Sequence, residues 1–329
     1  MSVAVSVRRV SVIVPTRNRD GLLREALASI EANRSVGLAI EVIVVDNGDG
    51  EETSAIAAQS GAQYVRCTHS GAAAARNQGW RSADGEYIAF LDDDDVWTPG
   101  HLIVQAAWLD HHPEFGAVLG QVSNVSPDLS ERGRPWPDGL PTDGSVFRAL
   151  LRVQPQVGAT LVRRSALEVA GGFDETLVSD EDWDWHLRLA LRERIGFVPV
   201  LCGLFRGRAA GTDDELQWMR FPFLHVVYWT NVRRGKGLAP VLPSLLRTYV
   251  HHLGAWYGGF LASAKAHVSQ KQTSSARKAL VYAARVSPVH LGWSLITDPE
   301  ARRTVAAAVI PSDIFTRAIG RTLLARRSR

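Results

Sequence analysis

Cysteine is almost missing from this chain of 329 residues: there are two, Cys67 and Cys202, with no CxxC spacing. That excludes a disulfide framework and a thiolate zinc site, and it marks both as small buried hydrophobes in a reducing compartment. Long apolar runs are missing too. No stretch reaches the roughly 18 consecutive apolar residues a bilayer span needs. The amino terminus, MSVAVSVRRV, lacks the apolar core and cleavage site of a signal peptide. The expected location is therefore the cytoplasm, and the sequons at Asn33 and Asn124 carry no glycosylation meaning. His69, His101, His111 and His112 show no metal spacing.

What is present is an uneven distribution of charge. Residues 1–204 hold 18 Lys and Arg against 28 Asp and Glu, whereas residues 205–329 hold 19 against 6. The chain reads as an acidic body with a basic appendage. Such a segment can lie on an anionic membrane surface, on the inner face if the protein is cytoplasmic. It can also clamp an anionic acceptor, or pair with the acidic body. A hydrophobic share of 46% with 22% charged residues is that of a folded globular protein.

The first hundred residues alternate strand and helix signals. Val10 to Val14 is a β-branched run that Pro15 is expected to end, and Thr16, Arg17 and Asn18 form the loop after it. Asp20 is the expected N-cap of a helix bearing Leu23, Ala26, Leu27 and Ile30 on one face. Strands follow at Glu41 to Val45, Gln63 to Arg66 and Tyr87 to Leu91, with helices between them and a further helix after Pro99. This pitch predicts a largely parallel sheet with right-handed crossovers.

The last of these strands runs straight into Asp92, Asp93, Asp94 and Asp95. Carboxylates at the carboxyl end of an α/β strand sit where such sheets hold ligands. Four together repel one another unless water or a cation lies among them. Oxygen ligands of this kind suit Mg²⁺ or Mn²⁺.

SVIVPTRNR, EVIVVDNGDG, GAAAARNQG and FLDDDDVW, followed by GGFDE and EDWDWHLR, resemble in order and spacing the family 2 glycosyltransferases of the GT-A fold. The resemblance covers about residues 8–205. It implies an α/β Rossmann-like mixed sheet, an inverting transfer from a nucleotide-sugar, most readily a UDP-sugar, and a divalent metal. Pro15, Thr16, Arg17 and Asn18 would lie against base and ribose. Asp46, followed by Asn47 where the commoner form has a second Asp, would accept the imino proton of uracil. Arg76 would lie near base or phosphates, or pair with the aspartates. Asp92 and Asp93 would line the donor, Asp92 through ribose or a metal-bound water, and Asp94 would hold the metal. Asp93 departs from the small residue usual at its place, which leaves the sharing of the metal open.

Attack by a neutral hydroxyl needs a carboxylate to take its proton, and the resemblance places this catalytic base at Asp182, the second acid of EDWDWHLR. Ser179-x-x-Asp182 also fits a capping box, in which the carboxylate holds a helix start. Trp183 and Trp185 fit sugar platforms or core, and Arg188 fits a salt bridge orienting the acid. Residues 127–144 read as a loop over the acceptor, and Arg206 and Arg208 as arms toward the diphosphate.

The expected division is a catalytic domain over 1–205, with a nucleotide-binding half at about 8–125 and an acceptor half at about 126–205. A helical basic extension follows over 206–329. The acceptor would be a hydroxyl of a glycan, a lipid-linked or a small molecule, with no nucleic acid partner. Peripheral membrane contact and a homodimer stay open for the extension. The rival readings are a sugar-nucleotidyltransferase, which wants a Gly-rich, basic first loop that Pro15 to Asn18 does not supply, and a non-catalytic cation-binding or membrane-surface protein.

Overall fold

The protein is seen in a computed structural model that describes residues 7–48, 51–141, 146–207, 215–235, 238 and 241–309. The expectation for Arg208 lies outside the described residues. By internal contacts the chain divides into two compact units, Met1–Arg208 with Phe223–Lys236, and Ala209–Pro222 with Gly237–Arg329. A single cut after residue 205 does not foresee the return of 223–236 to the first unit.

In the first unit β1 (Arg8–Thr16), α1 (Asp20–Glu31), β2 (Leu38–Asp46), α2 (Glu51–Gln59), β3 (Gln63–Arg66), α3 (Ala72–Ser82) and β4 (Tyr87–Phe90) follow one another. Then come β5 (Val96–Trp97), α4 (His101–His111), β6 (Ala117–Val125), α5 (Val146–Leu150), β7 (Thr160–Arg163), α6 (Arg164–Ala170), α7 (Glu181–Ala190) and β8 (Ile195–Arg206). Among the described residues these strands make one sheet in the order β3-β2-β1-β4-β7-β6-β8-β5. β1 lies parallel to β2 and β4, and β2 parallel to β3. β7 runs antiparallel to both β4 and β6, so the sheet is mixed.

Alternation along β1 sorts the two faces. Val10, Val12 and Val14 join Leu23, Ala26, Leu27 and Ile30 of α1 and Leu102, Ala106 and Leu109 of α4 in one core cluster. Ile13 points the other way, under α3, where Gly79 comes so close that a Cβ would stand 2.4 Å from Ile13 Cγ2 and 3.0 Å from Val45 Cγ2. Trp183 and Trp185 are both fully buried, Trp185 stacked on Phe173 with ring centroids 5.0 Å apart, so these rings are core and not platforms.

Several local expectations shift. β1 continues through Pro15, pairing Pro15 with Val45 and Thr16 with Asp46. Its β4 neighbour pairs only with Val10 to Ile13, so the missing proline N–H removes no bond on that side. Arg19, not Asp20, occupies the cap position of α1, while the Asp20 carboxylate accepts from Thr53 Oγ1 at 2.9 Å. The loop after β6 folds back on that strand through bridges of Val122 with Trp136 and Val125 with Arg132. Residues 142–145 of the expected acceptor loop lie outside the described residues.

The second unit is helical. It contains α9 (Leu242–Ser269), α10 (Thr273–Val286), α11 (Pro288–Thr297) and α12 (Pro299–Val309), while α8 (Glu215–Arg234) counts with the first unit from Phe223 onward. Tyr257, Phe260, Leu261 and Ala264 of α9 meet Ala276, Ala279, Leu280 and Ala283 of α10 in its core. Among the described residues no helix is long and apolar enough to cross a membrane.

Replacing Gly79 by Ala forces α3 off β1 and β2. A loss of about 1–3 kcal/mol is expected, read as a lower urea midpoint at unchanged slope.

Candidate functional site

The parallel pairing of β1, β2 and β4 carries three loops to one sheet edge: Thr16 to Arg19, Asp46 to Gly48, and the aspartates after Leu91. The first two loops touch, since a Cβ on Gly48 would lie 3.0 Å from the Asn18 backbone nitrogen. Arg17 and Asn18 are exposed, and Asn18 holds a left-handed conformation with φ of 54° that Asn tolerates. Pro15 and Thr16 are buried within the strand, so of the four loop residues expected at the donor only Arg17 and Asn18 present side chains to solvent.

Asp46 is fully enclosed. Its carboxylate accepts from Gly48 N at 2.6 Å, Tyr64 Oη at 2.9 Å and Arg66 Nη1 at 3.1 Å. Its observed work is to hold the turn and the end of β3, not to present an open acceptor to a base. The half-exposed Arg66 stands on the outer side of the pair.

The aspartate run splits by direction. Asp93 turns inward, accepting from Thr16 Oγ1 at 2.7 Å and Arg19 Nη1 at 3.0 Å. Burial pushes its carboxyl up to about 6, against the pull of Thr16 and Arg19. Asp93, expected at the donor, is 5% exposed and holds Thr16 and Arg19 from behind the loop. Asp95 is held well above the usual carboxylate range by desolvation and by Asp92 and Asp94. It accepts from the Arg206 backbone N–H at 2.9 Å.

Asp92 and Asp94 keep partial exposure. Arg19 Nη1 lies 2.7 Å from Asp94 Oδ2. Arg206 is no free arm: Nε donates to Asp94 O at 2.9 Å, Nη1 to Pro127 O and Nη2 to Glu25 Oε2, both within hydrogen-bond reach.

Arg76 joins the aspartates to the second constellation. Almost wholly buried on α3, it donates through Nη2 to Asp92 Oδ1 at 2.6 Å and through Nη1 to Glu181 Oε1 at 2.7 Å, with its cation 5.4 Å from the Phe173 ring centroid. Desolvation works against its charge, but Asp92, Glu181 and Asp182 outweigh it and raise the pKa further. Asp182, next in sequence to Glu181, acts on the same arginine through its charge. Next to it, Asn77 donates to Phe173 O at 2.8 Å and accepts from Phe173 N at 2.8 Å, pinning the GGFDE loop to α3.

At the start of α7 the cap position belongs to Asp180, left-handed at φ of 59°, with no side-chain cap bond. A capping box from Ser179 is therefore absent, and the half-buried Asp182 carboxylate accepts from Trp183 N at 2.8 Å. His186 fixes the backbone there. Its Nδ1 donates to Asp182 O at 2.7 Å, so its Nε2 accepts from Thr160 Oγ1 at 2.8 Å. Burial pushes this imidazole down to about 3, which keeps it neutral.

Arg188 does not orient Asp182. Its Nε meets Asp184 Oδ2 at 2.7 Å, and its other nitrogens donate to Ala170 O and Gly172 O. Asp184 Oδ1 in turn accepts from Asn231 Nδ2 at 2.7 Å and Arg234 Nη1 at 3.0 Å, which ties the end of α8 to the first unit. Sequence reasoning missed Arg19, Glu181 and Asp184. All three lie inside the quoted motifs, but nothing in their spacing tells a buried partner from a ligand contact.

Among the described residues no group of three or more His, Cys, Asp or Glu side chains is arranged to hold a metal ion. Asp92 and Asp94 are carboxylates with exposed oxygen, and such a pair fits a cation that takes the rest of its shell from phosphates and water.

A mixed sheet in this order, with three loops at one edge and an acidic helix start joined to them through Arg76, is the arrangement of the GT-A fold. The segment 11–170 matches the family described as "Glycosyl transferase family 2". The uncharacterized protein Rv1520 of Mycobacterium tuberculosis is 28% identical over 246 residues, covering 72% of this chain and 67% of that protein. The same fold is found in TarS 1-349 of S. aureus in complex with UDP-GlcNAc, with 16% identity, TM-score 0.53, and 87% and 92% of the two chains covered. It is found again in the mannosyltransferase PcManGT of Pyrobaculum calidifontis in complex with GDP-Man and Mn²⁺, with 22% identity, TM-score 0.53, and 92% and 86% covered.

Replacing Arg76 by Gln leaves Asp92 and Glu181 without their cation, and a loss of about 3–5 kcal/mol is expected in denaturant unfolding. Acid should weaken the fold through buried imidazoles. His186 and His101, the latter pushed down to about 4 by burial, have folded values below the ordinary 6.5. Their contribution is complete above 6.5 and is lost as pH falls toward the folded values. Unfolding at about pH 5 should show a deficit of about 2 kcal/mol per histidine, and His101→Phe should flatten that slope.

Proposed function

We propose that this transferase moves a sugar from a nucleotide-sugar, first of all a UDP-sugar, to an acceptor hydroxyl in a single inverting displacement. The observation that carries the reading is Arg76, bound to Asp92 at one end and Glu181 at the other, so that the aspartate edge and the start of α7 border one site. The solved relatives with UDP-GlcNAc and with GDP-Man add that this fold accepts such donors.

Arg17, Asn18 and the turn after Asp46 border the nucleotide, with Asp46 acting through the turn it holds. Asp94, assisted by Asp92, would hold a divalent cation, Mg²⁺ or Mn²⁺, in exchange for Arg19. When bound, that cation would neutralise charge on the departing diphosphate. Asp182 takes the proton of the acceptor hydroxyl as its oxygen bonds to the anomeric carbon and the bond to the diphosphate breaks. His186 and Thr160 hold the Asp182 backbone, and the neutral imidazole does not compete for the proton. The acceptor is a hydroxyl of a glycan, a lipid-linked or a small molecule.

Asp182→Asn should lower transfer, or slow donor hydrolysis, by about 10²–10⁴-fold while nucleotide affinity by calorimetry stays within about twofold. Transfer at the wild-type rate would remove the assignment. Asp94→Ala should weaken nucleotide binding with Mn²⁺ by at least about tenfold and leave metal-free binding unchanged. Calorimetry against UDP-, dTDP- and GDP-sugars decides the base: tighter binding of GDP-sugars would overturn the uridine reading. Pyrophosphate exchange in place of diphosphate release would indicate a nucleotidyltransferase.

A further inference from the structure

Helix α11, with the sequence PVHLGWSLIT, is largely apolar, yet none of its residues is buried. Val289, Trp293 and Ile296 are 79%, 65% and 72% exposed. Their spacing of four and three residues puts them on one stripe of the helix. Single exposed hydrophobics are ordinary; three in register on one short helix, with a tryptophan at the centre, are a surface built to be covered.

The charge around the stripe selects the cover. Residues 241–309 contain eight Lys and Arg against two acids, Asp298 and Glu300. Both acids are paired with Lys265, at 3.6 and 2.9 Å. The exposed Arg302 donates to Leu295 O at 3.1 Å and Ile296 O at 2.8 Å, so a guanidinium sits at the very end of the stripe. Residues 310–329 add five arginines and one aspartate to the sequence. A second copy would bring the same excess of positive charge to the contact. An anionic lipid surface supplies the opposite sign and an apolar layer deep enough for an indole and two aliphatic side chains.

We infer that α11 is an interfacial membrane helix: Val289, Trp293 and Ile296 enter the headgroup boundary of an anionic bilayer while Arg302 and the surrounding cations meet its phosphates. The helix is far too short to span, and the association is peripheral and sensitive to salt. It does not depend on the donor chemistry, and donor hydrolysis in solution is unaffected by it.

The test is co-sedimentation of the full chain with vesicles of phosphatidylcholine alone, or with about a third phosphatidylglycerol. The protein should pellet with the anionic vesicles, less so in high salt. Val289→Ser, Trp293→Ser and Ile296→Ser together should lower that partition by at least about tenfold at unchanged melting temperature and donor hydrolysis. Should the triple variant not fold, Trp293→Ala alone is read in its place. Arg302→Gln should lower binding to the anionic vesicles by about threefold and leave neutral vesicles unaffected. Equal sedimentation of wild type and the stripe variant would overturn the inference, as would no binding to anionic vesicles or equal binding to neutral ones. A concentration-dependent dimer lost in the triple variant, without vesicle binding, would make the stripe a self-contact instead.

Discussion

The site of this protein depends on a cation that the chain itself supplies. Arg76 is buried and bonded to Asp92 and Glu181, and its charge, with that of Asp182 acting on it, lets these acids stand close together. A buried ion of this kind is retained only when its partners satisfy it, and breaking one side leaves the other charge stranded. The consequence is positional. The edge of the sheet and the start of α7, separated by about a hundred residues of sequence, are held at hydrogen-bond distance by one side chain.

The same logic of internal counter-charge repeats around this centre. Arg19 answers Asp93 and Asp94, Arg66 answers Asp46, and Arg188 with Arg234 answers Asp184. Acidic groups that a motif presents as a single cluster are thus divided by their partners. Asp93 and Asp184 hold the frame, while Asp92, Asp94 and Asp182 keep some contact with solvent. The half-open position of Asp182 is what the proposed role of general base requires, since a base must meet its substrate.

The two units differ in kind. The first buries its acids in a paired network and presents its loops at one edge. The second carries an excess of basic residues and, among the described residues, an apolar helix whose Val289, Trp293 and Ile296 are exposed. The exposed indole and the net positive charge are the two features on which the proposed contact with anionic lipid rests.

The amino-acid sequence by itself determined the alternation of strands and helices, the carboxyl-end location of Asp46 and of the aspartate run, and the likeness of residues 11–170 to family 2 glycosyltransferases. Hydrophobic period and local turn chemistry are properties of neighbouring residues, so Gln63 to Arg66 and the face of α1 are legible without coordinates. Which of four adjacent aspartates faces inward was not legible. That follows from Thr16 and Arg19, which parallel pairing brings alongside from more than seventy residues away. The sequence also showed Asp182 and Arg188 in one motif, but only the packing of α6 and α8 against α7 decided that Arg188 serves Asp184 instead. Period and spacing act along the chain, whereas the partner of a buried charge is chosen by whatever the fold brings across from elsewhere.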